Sequence, residues 1–229
     1  MFRSLNKILL LVLFMNISSL SLCDSLKNQH TFSFKSLLTA LPPFFLKNVY
    51  LLKDYIRKDE FLEIRKNNGD LAAVDAIFQK ALELTNGNTG FALLISTLST
   101  FDHYSLSFKI KFLDLKIPIS NETKLEFQKR LDNLPSHFLP DSPKYPYGDK
   151  DKLQHIFGSA FLIFAFESKS LGNNYSIFVE KFEDRYISDG SYDLRDLRAN
   201  QIGQEFGFML LKNQSAKPSE AINNHYKER

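Results

Sequence analysis

Residues 70–82 read DLAAVDAIFQKAL, and their apolar side chains recur at the spacing of an α-helix. The apolar positions form one stripe, made of Leu71, Val74, Ile77, Phe78, Ala81 and Leu82. Asp70 stands at the expected N-cap, and Asn86-Gly87 ends the pattern. Apolar residues recur among charges at a similar spacing in residues 49–66. The chain is therefore predicted to be mainly α-helical.

Residues 105–119 follow a different pattern, in which apolar and polar side chains alternate with a period of two. The apolar positions are Leu106, Phe108 and Ile110, then Leu115, Ile117 and Ile119. This alternation predicts a β-hairpin that turns near Leu113-Asp114, with Pro118 placing the second strand at an edge. The expected fold class is mainly α (α+β), a helical domain with one antiparallel β-hairpin near residues 105–119.

The N-terminus has the pattern of an export signal. Arg3 and Lys7 precede an unbroken apolar run over residues 8–14. A short basic region followed by about 7–15 apolar residues is typical of a secretory signal. A membrane anchor that is never removed is the alternative, but a span needs roughly 20 apolar residues. Residues 1–23 are therefore predicted to be a signal segment that is cleaved.

Two modes of processing are open at the end of this segment. Ser21 and Cys23 are small residues at the positions that a signal peptidase reads, so the mature chain could begin at Asp24. The stretch from Leu20 to Cys23 also resembles a bacterial lipobox, which makes Cys23 the lipidation candidate. Cys23 is the only cysteine, which excludes an intramolecular disulfide in either case.

Composition predicts a packed core and argues against a nucleic-acid partner. The chain has 22 Phe, 9 Tyr and 44% hydrophobic residues, which favours a folded domain over disorder. Its formal charge of +3 falls to +1 once Arg3 and Lys7 leave with the signal. A nucleic-acid-binding protein would show a strong basic patch instead. The longest uncharged apolar run beyond the signal, residues 156–166, is too short for a membrane span and predicts a buried helix.

A proline-rich loop marks the best internal boundary. Its prolines are Pro135, Pro140, Pro143 and Pro146, and it ends at Gly148. Three regions are therefore predicted beyond the signal: a helical N-terminal region with the hairpin (24–145), a helical module (146–212) and a flexible polar tail (213–229).

The C-terminal module carries two polar motifs in order. Residues 151–155 read DKLQH and lead into an apolar helix, and residues 193–203 read DLRDLRANQIG. This arrangement resembles the module shared by YfiM-type envelope lipoproteins and, more distantly, by VanZ-like membrane proteins. Both show Asp-Lys-x-x-His at the start of one helix, and a later helix with an Asp, a polar residue four positions on and two spaced glycines, which in this chain reads Asp-x-x-x-Asn-x-x-Gly. The resemblance covers residues 149–208 and implies an envelope protein, but it implies no defined reaction.

Spacing places these polar residues on two facing helix surfaces. Residues four apart share a helix face, which groups Asp151 with His155 and groups Asp196 with Asn200. Small residues nearby would let the helices approach closely, and the predicted packing glycines are Gly158, Gly203 and Gly207. The predicted polar cluster consists of Asp151, Lys152, His155, Ser159, Asp196 and Asn200.

Two interpretations of this cluster are open. In the structural one, the polar groups satisfy one another and close a helix pair. In the catalytic one, His155, Asp151 and Asp196 are the candidate acid-base residues. The module has a single histidine, whereas zinc sites usually use more His or Cys ligands, so neither a metal nor a cofactor is predicted. P-loop, dinucleotide-binding and His-Glu-x-x-His motifs are absent from the sequence.

These patterns predict an exported cell-envelope protein with a non-enzymatic binding or structural role. Its expected location is the periplasm or an envelope membrane surface, reached through a lipidated Cys23 if the lipobox is used. The expected partner is an envelope lipid, a cell-wall component or an envelope protein, and not a nucleic acid. The alternative is a hydrolase-like or metal-dependent enzyme, centred on His155, that modifies lipid or cell wall, so enzymatic activity stays open.

Overall fold

The computed structural model describes residues 43–110, 113–118, 122–145, 147–166 and 194–227. The chain divides into two compact units, residues 1–47 and residues 48–229. The predicted signal segment, including Cys23, lies outside the described residues. The architecture below is that of the second unit, whose first helix begins at Pro43, among the last residues of the first unit.

The described residues are mainly helical, which confirms this part of the predicted fold class. The helices are α1 (Pro43–Arg57), α2 (Asp59–Leu84), α3 (Thr89–Ser99), α4 (Lys124–Asn133), α5 (Lys150–Phe166), α6 (Leu194–Lys212) and α7 (Pro218–Lys227). Within the described ranges, no helix combines the length and apolar character needed to cross a membrane.

Two short strands, β1 (Ser105–Ile110) and β2 (Leu113–Pro118), lie between α3 and α4. They pair antiparallel, with Ile110 opposite Leu113 and Lys109 opposite Asp114. Leu113 and Asp114, near which the turn was predicted, belong to β2, and residues 111–112 between the strands lie outside the described residues. No Gly, Pro or Asn occurs between Ser105 and Ile117, so alternation alone left the position of the turn unmarked.

The core forms where α2, α5 and α6 meet. Four positions of the predicted α2 stripe are buried, namely Val74, Ile77, Phe78 and Ala81. The ring of Phe78 lies 6.3 Å from that of Phe157 on α5 and 5.1 Å from that of Phe206 on α6. Helix α5 also packs against α3. The proline loop therefore joins two segments of one compact unit.

Helix α2 is bent at Gly69, where the chain adopts φ +86°, a conformation that favours glycine. Asp70, the predicted N-cap, follows this bend and binds a distant loop. Its Oδ2 accepts hydrogen bonds from the backbone N–H of Ser136 at 2.7 Å and of His137 at 2.6 Å. Arg65 donates to its Oδ1. Asp70 thus fixes the start of the proline loop to α2.

Asp70→Asn is expected to lower the free energy of unfolding by about 2 kcal/mol at neutral pH. Burial raises the pKa of Asp70, but hydrogen bonds from Arg65, Ser136 and His137 outweigh it and hold the pKa below its ordinary value. The stabilisation is present above the unfolded-state pKa of about 4 and is lost as the pH falls through the lower folded-state pKa. Urea unfolding of both proteins from pH 7 to pH 3 should show this difference shrinking; a constant difference would contradict it.

The predicted flexible tail is wrong for residues 218–227, which form α7 and bury Ala221 and Ile222. The backbone N–H and Oγ of Ser219 donate to Asp75 on α2 at 2.9 and 2.6 Å. Tyr226 Oη donates to Asp141 at 2.6 Å. The tail looked loose because it is polar, but its polar groups find partners far away in the sequence.

Candidate functional site

Helices α5 and α6 approach closely at two glycines of α6. A Cβ at Gly207 would lie 2.7 Å from the carbonyl oxygen of Ala160 and 2.8 Å from Ile163 Cβ. A Cβ at Gly203 would meet the carbonyl oxygen of Ile156 and lie 2.9 Å from Ser159 Cβ. Side-chain carbons do not normally come this close, so the observed helix separation requires glycine at both positions.

Gly158 differs from these two glycines, and its predicted role in close packing is wrong. A Cβ there would lie 3.5 Å from Thr97 Cγ2, which is an ordinary van der Waals contact. Thr97 belongs to α3, so Gly158 faces α3 and not α6. The predicted grouping treated small residues as equivalent, although Gly158 and Ser159 point in directions about 100° apart on the helix.

Lys152 is the centre of the polar cluster between α5 and α6. Its side chain is 2% exposed, and its Nζ donates to Asp196 Oδ1 and, at 2.5 Å, to Asp151 Oδ2. The ammonium therefore stands between two carboxylates. Pairing of this kind is what makes a buried charge tolerable.

His155 and Ser159 complete the cluster on the next turns of α5. His155 Nε2 lies 3.5 Å from Asp196 Oδ1, and His155 Nδ1 lies 3.3 Å from Asn200 Oδ1. Ser159 Oγ donates to the same Asn200 oxygen at 2.8 Å. The structure therefore brings all the predicted cluster residues together, with Lys152 joining Asp151 to the others.

Asp151 is the most exposed of these ionisable groups, with 35% of its side chain accessible. Burial raises the pKa of Asp151, and the carboxylates of Asp196 and Asp102 raise it further. The Lys152 ammonium opposes this shift but does not cancel it. The cluster thus opens to solvent at Asp151 and is closed around Lys152.

Sequence reasoning missed Asp149, which is fully buried next to the cluster. Its Oδ2 accepts hydrogen bonds from the backbone N–H groups of Phe138 and Leu139, both at 3.1 Å, and from Ser142. Arg195 on α6 donates to its Oδ1. Asp149 thereby ties the proline loop to α6. The sequence feature that could have indicated Asp149 is its position directly after Gly148 and just before the DKLQH motif.

A second charged cluster, unpredicted from the sequence, surrounds Glu122. Arg57 Nη1 donates to Glu122 Oε1 at 2.7 Å, Arg130 Nε donates to the same oxygen at 2.9 Å, and Lys53 Nζ lies 3.3 Å from Oε2. All four side chains are buried. Burial lowers the pKa of Lys53, and Arg130 and Arg57 lower it further, although Glu122 opposes them. No regular spacing in the sequence predicts this cluster, because its members lie in separate segments. Lys53 and Arg57 lie on α1, Glu122 lies just before α4, and Arg130 lies on α4.

The described residues contain no group of three or more His, Cys, Asp and Glu side chains arranged to hold a metal ion. Chemically, the α5–α6 cluster offers an imidazole, a partly exposed carboxyl group and a buried ammonium. In this geometry each group is engaged with another member of the same cluster.

Comparison with known proteins neither supports nor contradicts the predicted resemblance of residues 149–208. No family model matches the chain. No curated protein matches it, and no solved structure does. The role of the cluster is therefore argued from its own contacts.

The contacts of His155 predict a measurable coupling with Asn200. His155→Ala and Asn200→Ala are each expected to lower the free energy of unfolding by about 1–2 kcal/mol, because each removes a hydrogen-bonding group from the buried cluster. The double variant should lose less than the sum of the two losses. His137→Ala, which removes an exposed imidazole, is the matched control and should have little effect. Additive losses in chemical denaturation would rule out a shared cluster.

Proposed function

We propose that the protein is an exported cell-envelope protein with a binding or structural role, and that it is not an enzyme. In this proposal, residues 149–208 form a module of the YfiM and VanZ-like type. The observation that carries the non-enzymatic role is the pairing of Lys152 with both Asp151 and Asp196 in a nearly inaccessible position. A cluster satisfied in this way holds two helices in register.

The environment of the other cluster residues supports the same role. The Ser159 hydroxyl donates a hydrogen bond to Asn200 Oδ1, so it is held as a structural donor. The His155 side chain is 10% exposed and lies between Asp196 and Asn200. A general base must come within hydrogen-bond reach of the proton that it removes. Because the His155 imidazole is held between two helices, a substrate has little access to it.

The location and partners in this proposal follow from the N-terminal sequence. Arg3, Lys7 and the apolar run at residues 8–14 support export to the periplasm or an envelope membrane surface. Cys23 would anchor the chain if it is lipidated. The proposed partner is an envelope lipid, a cell-wall component or an envelope protein.

Fractionation followed by intact-mass measurement tests this proposal. The expected result is an envelope-associated protein that lacks residues 1–22 and carries lipid on Cys23, or one that begins at Asp24. Cys23→Ala separates the two, since loss of membrane association means lipidation and no change means ordinary cleavage. A chain that retains Met1 in the cytoplasmic fraction would refute export.

The alternative proposal is a hydrolase-like or metal-dependent enzyme, centred on His155, that modifies lipid or cell wall. The partial exposure of Asp151, whose pKa is raised, favours it, because a carboxyl group that can exchange protons faces solvent there. Metal analysis of the purified protein and the phenotype of His155→Gln test this alternative. A bound metal, or loss of the phenotype with unchanged stability, would favour the enzyme.

We also propose that β1 and β2 form a stable hairpin, which makes the fold class α+β. The antiparallel register supports it. Hydrogen exchange should then show slow exchange for paired amides in residues 105–118. Rapid exchange throughout this segment would leave an all-helical domain.

A further inference from the structure

Two tyrosines project from the proline loop into solvent. Tyr145 is 89% exposed and Tyr147 is 74% exposed, whereas most aromatic side chains of the described residues are at least half-buried. We name Lys144, Tyr145 and Tyr147 the tyrosine turn, because Tyr147 N–H donates to the carbonyl oxygen of Lys144 at 3.1 Å and closes it. Two neighbouring exposed rings form contiguous apolar surface, and surface of this kind marks interaction sites when it is large enough.

The tyrosine turn stands on a firmly held loop. Buried Asp149 binds the loop backbone at Phe138 and Leu139 and is itself bound by Arg195. On its other side, Asp141 is bound by Arg198 and by Tyr226 Oη. The loop is thus anchored to both α6 and α7. A support of this kind presents the tyrosines at a defined place on the surface.

Charge around the turn favours an anionic surface. The loop acids Asp141 and Asp149 are each paired with an arginine, and Lys144, next to Tyr145 in the sequence, is exposed. A lysine beside two exposed tyrosines matches the interface of a lipid bilayer, where tyrosine rings and basic groups concentrate.

We propose that the tyrosine turn is a membrane contact that seats Tyr145 and Tyr147 among the headgroups of an anionic bilayer. The phenol rings would enter the boundary of the acyl chains while their hydroxyls remain hydrated. Lys144 would approach the lipid phosphates. This inference rests on the proposed envelope role and adds a second membrane contact besides the N-terminus.

The absence of tryptophan from the chain allows a site-specific test. Tyr147→Trp places a single fluorophore in the turn, and Leu125→Trp places one at another highly exposed site, on α4. Each variant, as purified in its mature form, is mixed with vesicles of phosphatidylglycerol and phosphatidylcholine, or of phosphatidylcholine alone. Lipids brominated in the acyl chains report whether the fluorophore reaches the bilayer.

The expected result is a blue shift and quenching for Tyr147→Trp on the anionic vesicles, with neither for Leu125→Trp. Lys144→Gln in the Tyr147→Trp background should weaken vesicle binding about fivefold, the contribution of one basic residue near an anionic surface. Equal responses from the two reporters, or no response at position 147 on anionic vesicles, would overturn the proposal. A response to soluble anionic polymer without vesicles would also overturn it.

This test is independent of the test of export. If the chain is exported but position 147 does not respond, the membrane contact fails and the envelope role stands. If the chain stays in the cytoplasm but position 147 responds, the tyrosine turn does bind anionic bilayers and the envelope role fails. Circular dichroism of each tryptophan variant confirms that the helical fold is intact before vesicles are added.

Discussion

Replacing Glu122 with glutamine is expected to lower the free energy of unfolding by about 3–5 kcal/mol. The carboxylate of Glu122 is contacted by Arg57, Arg130 and Lys53, all of them buried. A neutral amide would leave three buried cations without this counter-charge, and it cannot accept hydrogen bonds at both of its former oxygen positions. Chemical denaturation at neutral pH measures the loss.

The matched control is Glu63→Gln. Glu63 pairs with Lys66 at 3.1 Å on an exposed helix surface, and exposed pairs contribute little to stability. Its substitution should change the free energy of unfolding by less than about 0.5 kcal/mol. Similar small losses from both substitutions would mean that the Glu122 cluster does not hold the fold together.

Gly203→Ala is expected to cost about 3 kcal/mol, at the upper end of the range for overpacking. The new methyl group would meet the carbonyl oxygen of Ile156 and lie 2.9 Å from Ser159 Cβ. Backbone atoms cannot swing aside as a flexible side chain can, so α5 and α6 would have to separate. That movement would also stretch the contact of Ser159 with Asn200.

Gly158→Ala is the control for this substitution. Its methyl group would meet only Thr97 Cγ2, at 3.5 Å, and alanine favours a helix interior by up to about 1 kcal/mol over glycine. Thermal unfolding should therefore show an unchanged or raised Tm for Gly158→Ala and a lowered Tm for Gly203→Ala. A lowered Tm for both, to the same extent, would contradict the asymmetry between the two faces of α5.

The membership of the α5–α6 cluster was predictable because helical spacing is a local property. Residues four apart share a face, and this rule grouped Asp151 with His155 and Asp196 with Asn200. Spacing could not show which atoms meet. The position of Lys152 between Asp151 and Asp196 depends on the separation and rotation of two helices.

The Glu122 cluster and the anchoring of the C-terminal helix show where local patterns carry no information. Glu122 is 65 residues from Arg57 along the chain, and Ser219 is 144 residues from Asp75. Neither pair produces a periodicity, a motif or a change in composition. In the sequence, the folded C-terminal helix looks the same as a loose polar tail. Buried Glu122 likewise looks the same as a solvent-exposed glutamate.

By itself, the sequence determined the helical character of this protein, the α2 stripe and the residues of the α5–α6 cluster, because these follow from the 3.6-residue period of the helix. Only the tertiary structure decided which glycines are indispensable, which carboxylates neutralise buried cations, and that residues 218–227 are folded. Those outcomes depend on distances between segments remote in the chain, and such distances arise only when the core packs.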